Sequence, residues 1–206
     1  MSEVLDPIRP LRDFVTGMTR LVDRRPAEAE ALREGRAMLA DLLAAPHWLP
    51  DEYAHSQPGA YRQYLLHCDP HERFSVVSFV WGPGSSTPVH DHTVWGLVGV
   101  LRGAETCCEY APTDDQRVRI TTGDHELRAG MIEPVSPTVG DWHKVSNALP
   151  DTESISIHVY GGNIGSVRRH MVDPQTGLIR EFISGYSPAP LPNLWDRSAS
   201  LRAARS

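Results

Sequence analysis

The sequence predicts a mainly-β barrel with α-helices packed on its outside, and three observations carry that reading. From Tyr61 to Ile183, short runs of β-branched and aromatic residues alternate with Gly, Pro, Asp and Asn turns, as an all-β barrel requires. Ahead of them lies a stretch rich in Ala, Leu, Glu and Arg with helical apolar spacing. At 206 residues the chain can bury one substantial core. A single domain over 1–206 is therefore expected, with a helical region at about 8–45, the barrel at about 61–185 and an irregular tail at 187–206.

In the helical region Pro26 fits a first helical turn, and Leu32, Met38, Leu39, Leu42 and Leu43 can form one apolar stripe on Ala27–Ala45. Leu11–Val22 carries a weaker version of the same pattern. Too few residues lie here for a separate core, so these helices are expected to cover the barrel. Residues 46–58 are turn-rich. Ser75–Trp81 reads as a strand, stopped by Gly82-Pro83-Gly84. Val94–Leu101, Thr106–Tyr110, Val118–Thr122 and Ser154–Tyr160 follow as short strands, with Leu178–Ile183 as one more. Pro188, Pro190 and Pro192 block regular structure in the tail.

Composition narrows the function. A net charge of −6 argues against a nucleic-acid binder, which needs a basic face. No apolar run approaches bilayer length and the first residues lack a signal layout, so a cytoplasmic protein without membrane partners is expected. Three cysteines, Cys68, Cys107 and Cys108, are an odd number, and adjacent Cys107 and Cys108 point to opposite faces of a strand. They read as reduced thiols, with at most one packed inside.

The chemistry centres on His90-Asp91-His92. Two histidines two apart on a strand share a face, roughly 6–7 Å apart at the backbone, close enough to share one ion. Around them runs Gly84-x5-His90-x-His92-x3-Gly96-x6-Gly103, followed later by Gly130-x6-Pro137-x2-Gly140-x2-His143-x3-Asn147. These strings resemble the two motifs of the cupin superfamily, double-stranded β-helix (jelly-roll) barrels whose metal ligands come from both motifs. Where that pattern usually places a glutamate ligand this chain has Gly96, so the resemblance implies a site of three neutral histidines, His90, His92 and His143. Imidazoles suit Fe, Zn, Cu, Ni or Co. Three ligands leave open positions, which favours catalysis over a closed structural site.

Ser156-x-His158-x-Tyr160 forms a second constellation. Period-two spacing puts all three on one strand face, and an inward face cannot leave three polar groups unpaired. Ser156 is expected to bond one nitrogen of His158, whose other nitrogen faces Tyr160. Ile155, Ile157 and Val159 on the opposite face place this strand between the barrel lumen and the outer helices.

Pro88-Val-His-Asp-His-Thr93, a third histidine about fifty residues on, and Ser-x-His-x-Tyr beyond it together resemble the thiol dioxygenases of the cysteine dioxygenase family, from about Tyr61 to Arg169. The resemblance implies a non-haem Fe(II) held by three histidines, converting a small thiol and O2 to a sulfinic acid. Two positions discriminate within that family. Gln63 stands where the animal enzymes carry a carboxylate-binding arginine, although Arg62 is its neighbour. Gly96 stands where they carry a cysteine crosslinked to the active-site tyrosine, which implies a Tyr160 free of a thioether. Both features resemble the bacterial glutamine-type branch associated with 3-mercaptopropionate, in which an arginine nine residues after the tyrosine contacts the substrate carboxylate. Arg169 matches that spacing, with Arg168 adjacent.

The resemblance thus implies catalytic roles for Tyr160, His158 and Ser156 and substrate contacts for Arg169 and Gln63. Its substrates are O2 and a small thiol carboxylate: 3-mercaptopropionate first, cysteine or mercaptosuccinate as alternatives. Readings from other classes are a non-catalytic cupin that binds a metal or metabolite, and a metal cupin enzyme acting at carbon.

Overall fold

Helical apolar spacing builds the outer layer of the protein. The computed structural model describes residues 6–45, 47–188 and 202. Helix α1 (Arg9–Asp23) buries Leu11, Phe14, Met18, Leu21 and Val22, a three-and-four spacing that makes one stripe. Helix α2 (Glu28–Leu43) buries Ala31, Gly35, Leu39, Leu42 and Leu43. Pro26 lies ahead of α2 rather than in its first turn. Ala27, extended at ψ 152°, is the N-cap, and Glu28 and Glu30 supply first-turn negative charge.

Eleven strands follow among the described residues: β1 (Tyr61–Cys68), β2 (Ser75–Trp81), β3 (Gly96–Arg102), β4 (Ala104–Pro112), β5 (Val118–Ile120), β6 (His125–Arg128), β7 (Ile132–Val135), β8 (Trp142–Asn147), β9 (Ser154–Tyr160), β10 (Arg169–Val172) and β11 (Ile179–Phe182). One sheet runs β1-β2-β9-β3-β7. In the other, β4 is flanked by β5 and β6 on one edge and by β8 on the other, and β10 pairs with β11. All these pairings are antiparallel. This is the mainly-β, double-stranded β-helix class expected from the sequence, with two helices outside it.

Two apolar clusters divide the interior. One joins α1 and α2 to the outer face of the five-stranded sheet through Val76, Val80, Leu97, Leu101, Ile155, Ile157 and Val159. The other fills the lumen with Val77, Phe79, Trp81, Val98, Val100, Leu127, Val145 and Tyr160. β2 and β9 are buried along their whole length because each is covered on both faces. Close packing of α2 requires a glycine beneath it: a Cβ on Gly99 would lie 2.8 Å from Leu43 Cδ1 and 3.1 Å from Leu39 Cδ2.

Several elements differ from the sequence reading. Strands β6, β7, β8 and β10 escape it, because four- to six-residue segments with Pro134 or adjacent charges carry too little alternation to stand out. His90 and His92 do not sit on a regular strand. Their segment is extended, held only by isolated bridges from His90 to His143 and to Met171, and Thr93 turns it with φ +59°. All three cysteines are free and buried, where at most one was expected inside. Cys107 faces the lumen, while the β4–β5 hairpin folds the Thr122 carbonyl to 3.4 Å from Cys108 Sγ on the other face. The expected irregular tail falls almost wholly outside the described residues. No helix among those described is long and apolar enough to cross a membrane.

Candidate metal centre

The two histidine-bearing segments meet through their backbones. His90 N–H donates to the His143 carbonyl and His143 N–H donates to the His90 carbonyl, both at 3.0 Å. The other edge of the His90 segment is closed by β10, where Asp91 N–H donates to the His170 carbonyl at 3.0 Å. This clamp brings three rings together, with centroids 5.0 Å (His90–His92), 4.8 Å (His90–His143) and 4.7 Å (His92–His143) apart. One ring nitrogen from each lies within 4.8 Å of the others.

Each imidazole is oriented from behind. His90 Nδ1–H donates to the Pro88 carbonyl at 3.0 Å. His92 Nδ1–H donates to Asp141, 3.1 Å from Oδ1, while the His92 and Thr93 backbone N–H groups hold the same carboxylate at 2.9 and 3.0 Å. His143 Nδ1 lies 3.7 Å from Cys107 Sγ. For His90 and His92, an Nδ1–H given to an oxygen leaves Nε2 as the lone-pair nitrogen, as in protein metal sites. Burial, reinforced by neighbouring histidines, holds His90 and His92 well below the usual imidazole range, and burial lowers His143 to about 4. The rings are therefore neutral at pH 7. His92 Nε2 is buried without a hydrogen-bond partner, a cost that a bound cation removes. The residues fit a metal held by three neutral nitrogens, and among the described residues no fourth donor joins the group.

The Ser156, His158 and Tyr160 side chains line up beside the rings. Ser156 Oγ is 2.8 Å from His158 Nε2, and His158 Nδ1 is 2.7 Å from the Tyr160 hydroxyl. Trp81 Nε1–H donates to Ser156 Oγ at 3.0 Å, and Phe79 stacks on the His158 ring at 4.2 Å. Tyr160 stacks on His92 with centroids 5.5 Å apart. Gly96 makes this possible: a Cβ there would lie 2.7 Å from Tyr160 Cδ1.

Next to His90 opens a cavity of about 570 Å³ whose lining includes Tyr61, Gln63, Arg169, Phe182, Ser184 and Tyr186. Of the two adjacent arginines, Arg168 points to solvent and Arg169 is buried inward. Arg169 Nη2 donates to Ser184 Oγ at 2.8 Å and its guanidinium sits 4.7 Å from the Phe182 ring centre, while Nε has no partner. The nearby Asp91 carboxylate is committed to His170, accepting from its N–H at 2.6 Å and its Nδ1 at 2.7 Å. On β1, Gln63 pairs with lumen-facing Phe79, and its side-chain amide donates to the Gly185 carbonyl. Arg62 pairs with outward Val80 and donates to Gln57 Oε1 at 2.6 Å, so it reaches only the rim.

Sequence reading missed Asp141, Asp91 and Cys107. Asp141 lies two residues before His143 and could have been read as a carboxylate beside a ligand. Asp91 and Cys107 act through space, and no spacing announces them.

Comparison with known proteins completes the picture. A family model described as cysteine dioxygenase type I matches residues 9–171. An uncharacterised protein with a double-stranded β-helix domain from Klebsiella pneumoniae is 24% identical, covering 56% of this chain and 89% of its own at a TM-score of 0.41. A cupin superfamily protein from Desulfitobacterium hafniense is 12% identical, covering 54% of this chain and 87% of its own at a TM-score of 0.40. On the family match, which spans most of the sequence, this chain belongs to the cysteine dioxygenase type I family, metal-dependent thiol dioxygenases that join a thiol and O2.

Proposed function

We propose that this protein binds iron(II) through His90, His92 and His143 and oxidises 3-mercaptopropionate with O2 to the corresponding sulfinic acid. The observation that carries the substrate is Arg169: a buried guanidinium facing the cavity, with no carboxylate ion pair among the described residues. Such a charge is costly until an anion meets it, and its planar fork suits a carboxylate. Among the described residues the cavity lining contains no Asp or Glu, so none of them balances the ammonium group that distinguishes cysteine from 3-mercaptopropionate. Gln63, already donating to Gly185, adds polarity without charge.

Iron(II), when bound, supplies neighbouring open positions for sulfur and O2 and makes the thiol more acidic. The chain does the rest. Arg169 fixes the far end of the three-carbon acid, so that sulfur lies against the His90 side of the cavity. Tyr160 is held by His158 and faces the histidine cluster, where its hydroxyl can exchange a proton with the thiol. Phe79, Phe182 and Tyr61 exclude water around the reacting groups. Both oxygen atoms end on sulfur: R–SH + O2 gives R–SO2H.

A second reading, a dicarboxylic thiol such as mercaptosuccinate, is favoured by Arg62 and Arg180 in the cavity lining. Oxygen uptake by the iron-loaded protein with 3-mercaptopropionate, cysteine and mercaptosuccinate, with sulfinate detected by mass, tests both. The largest kcat/KM is expected for 3-mercaptopropionate. A larger value for cysteine overturns the substrate assignment, and no uptake with any thiol overturns the activity.

A further inference from the structure

A second group of metal-binding side chains meets inside the barrel. Cys107, His125 and Glu133 each offer one ligand atom within 4.8 Å of the others. They come from β4, β6 and β7, and none belongs to the three-histidine centre. We propose that these three residues hold a zinc(II) ion, which ties β7 of the five-stranded sheet to β4 and β6 of the facing sheet. The site does not depend on the thiol chemistry proposed above.

Strand register brings the three together. Cys107 and His125 lie directly opposite each other on β4 and β6, so their side chains share a face. Cys107 belongs to the lumen cluster, as does Leu127, two residues after His125. On β7, Glu133 pairs with lumen-facing Val98, and Val135 two residues on is again a lumen residue. Alternation thus calls for apolar side chains where His125 and Glu133 stand. Both are partly covered, with 34% and 29% of their side-chain surface exposed, and His125 Nε2 lies 2.8 Å from Glu133 Oε1. Cys107 Sγ, buried and 3.7 Å from His143 Nδ1, completes the group from the inside.

The donor set selects the ion. Zinc(II) takes sulfur, imidazole nitrogen and carboxylate oxygen alike, whereas a thiolate is a poor ligand for magnesium or calcium. Charge agrees with this choice: one thiolate and one carboxylate cancel the two positive charges of the ion, so a partly buried site is neutral. Binding forms a zinc–sulfur bond as the S–H bond breaks, and the thiol proton leaves to solvent past His125 and Glu133. The contact between those two residues opens by less than about 1 Å to admit an ion at the usual bond lengths near 2 Å, a shift that two partly exposed side chains can make. Their exposed side leaves the fourth tetrahedral position to water. The three-histidine centre has no sulfur ligand, so the two sites differ in a property that spectroscopy reads directly.

Metal titration of the full-length, metal-stripped protein tests the site without any thiol substrate. The double variant His90→Ala, His92→Ala, which removes the first centre, should still bind about one equivalent of zinc(II). Cobalt(II) in its place should give a near-ultraviolet thiolate-to-cobalt charge-transfer band that zinc(II) abolishes. Adding Cys107→Ser or His125→Ala should remove both the band and the bound equivalent. Cys108→Ser should keep them, since that thiol lies on the other face of β4 against the Thr122 carbonyl. Glu133→Gln should weaken zinc binding by about tenfold or more, the least that losing even an outer partner costs a metal site. Should the double variant not fold, the chain with its first centre intact decides: zinc binding should fall from about two equivalents to one with His125→Ala, a change at a partly exposed side chain. No cobalt–thiolate band, or no change in stoichiometry with His125→Ala, overturns the site and leaves His125 and Glu133 as an ion pair only. A band that survives His125→Ala but not Cys107→Ser also overturns it, by assigning the ion to Cys107 and His143 instead.

Discussion

Asp69 and Arg169 are both buried charges, and the protein treats them in opposite ways. Asp69, in the β1–β2 turn, has every contact filled. Its carboxylate accepts from the His71 N–H at 2.9 Å, from Arg73 Nε at 2.8 Å and from Arg73 Nη2 at 2.7 Å. Arg73 reaches on to Asp23 at 2.7 Å, tying the turn to α1. Arg169 has a hydroxyl, a carbonyl and an aromatic ring around it but no counter-ion among the described residues. A charge whose partners are all within the chain stabilises the fold. A buried charge left open costs stability, and that cost is recovered when something binds. The same contrast recurs across β9, whose outer side chains pack on helices while its inner ones form a polar chain.

The sharpest way to break this contrast is His143→Ala. Removing one of three nitrogens should reduce iron content after reconstitution to background and abolish thiol-dependent oxygen uptake, with the barrel still folded by circular dichroism. Retained stoichiometric iron sinks the three-histidine site. Next, Arg169→Ala should lower kcat/KM by about 10²-fold or more, from the 2–5 kcal/mol typical of breaking a buried charge contact. Its melting temperature should stay the same or rise, because an uncompensated charge has gone. A marked loss of stability would instead place Arg169 with Asp69 as structural.

The outer face of β9 should respond the other way. Ile157→Ala opens a cavity under the helices and should cost about 3 kcal/mol in denaturant unfolding, with kcat/KM within about twofold below the transition. On the inner face, Tyr160→Phe should reduce kcat by about 10–100-fold with iron content unchanged. Loss of iron would show that the hydroxyl serves the metal site instead.

The smallest effect belongs to Asp69. Its contacts with Arg73 lower its carboxyl from 3.8 to about 2. The contribution is therefore complete above the unfolded value near 3.8 and disappears as pH falls through about 2, amounting to about 2 kcal/mol. Unfolding free energies of wild type and Asp69→Asn should differ most above pH 4 and converge at the acid end. A constant gap across that window would contradict this account.

What the sequence determined by itself was whatever is written in short-range spacing. The Leu39–Leu42–Leu43 stripe marks a helix that must be covered, and alternation from Ser154 to Tyr160 separates an apolar face from a polar one. The two histidine motifs single out His90, His92 and His143 because each half of that cluster is local, even though the segment around His90 is an extended clamp rather than a strand. Tertiary structure alone decided the contacts between segments far apart in sequence: Asp141 behind His92, Cys107 behind His143, Arg169 rather than Arg168 turned inward, and Glu105 against Ser154. Those contacts depend on strand register and on what lies across the lumen, and a side chain's neighbours on a facing sheet leave no periodic mark on its own strand.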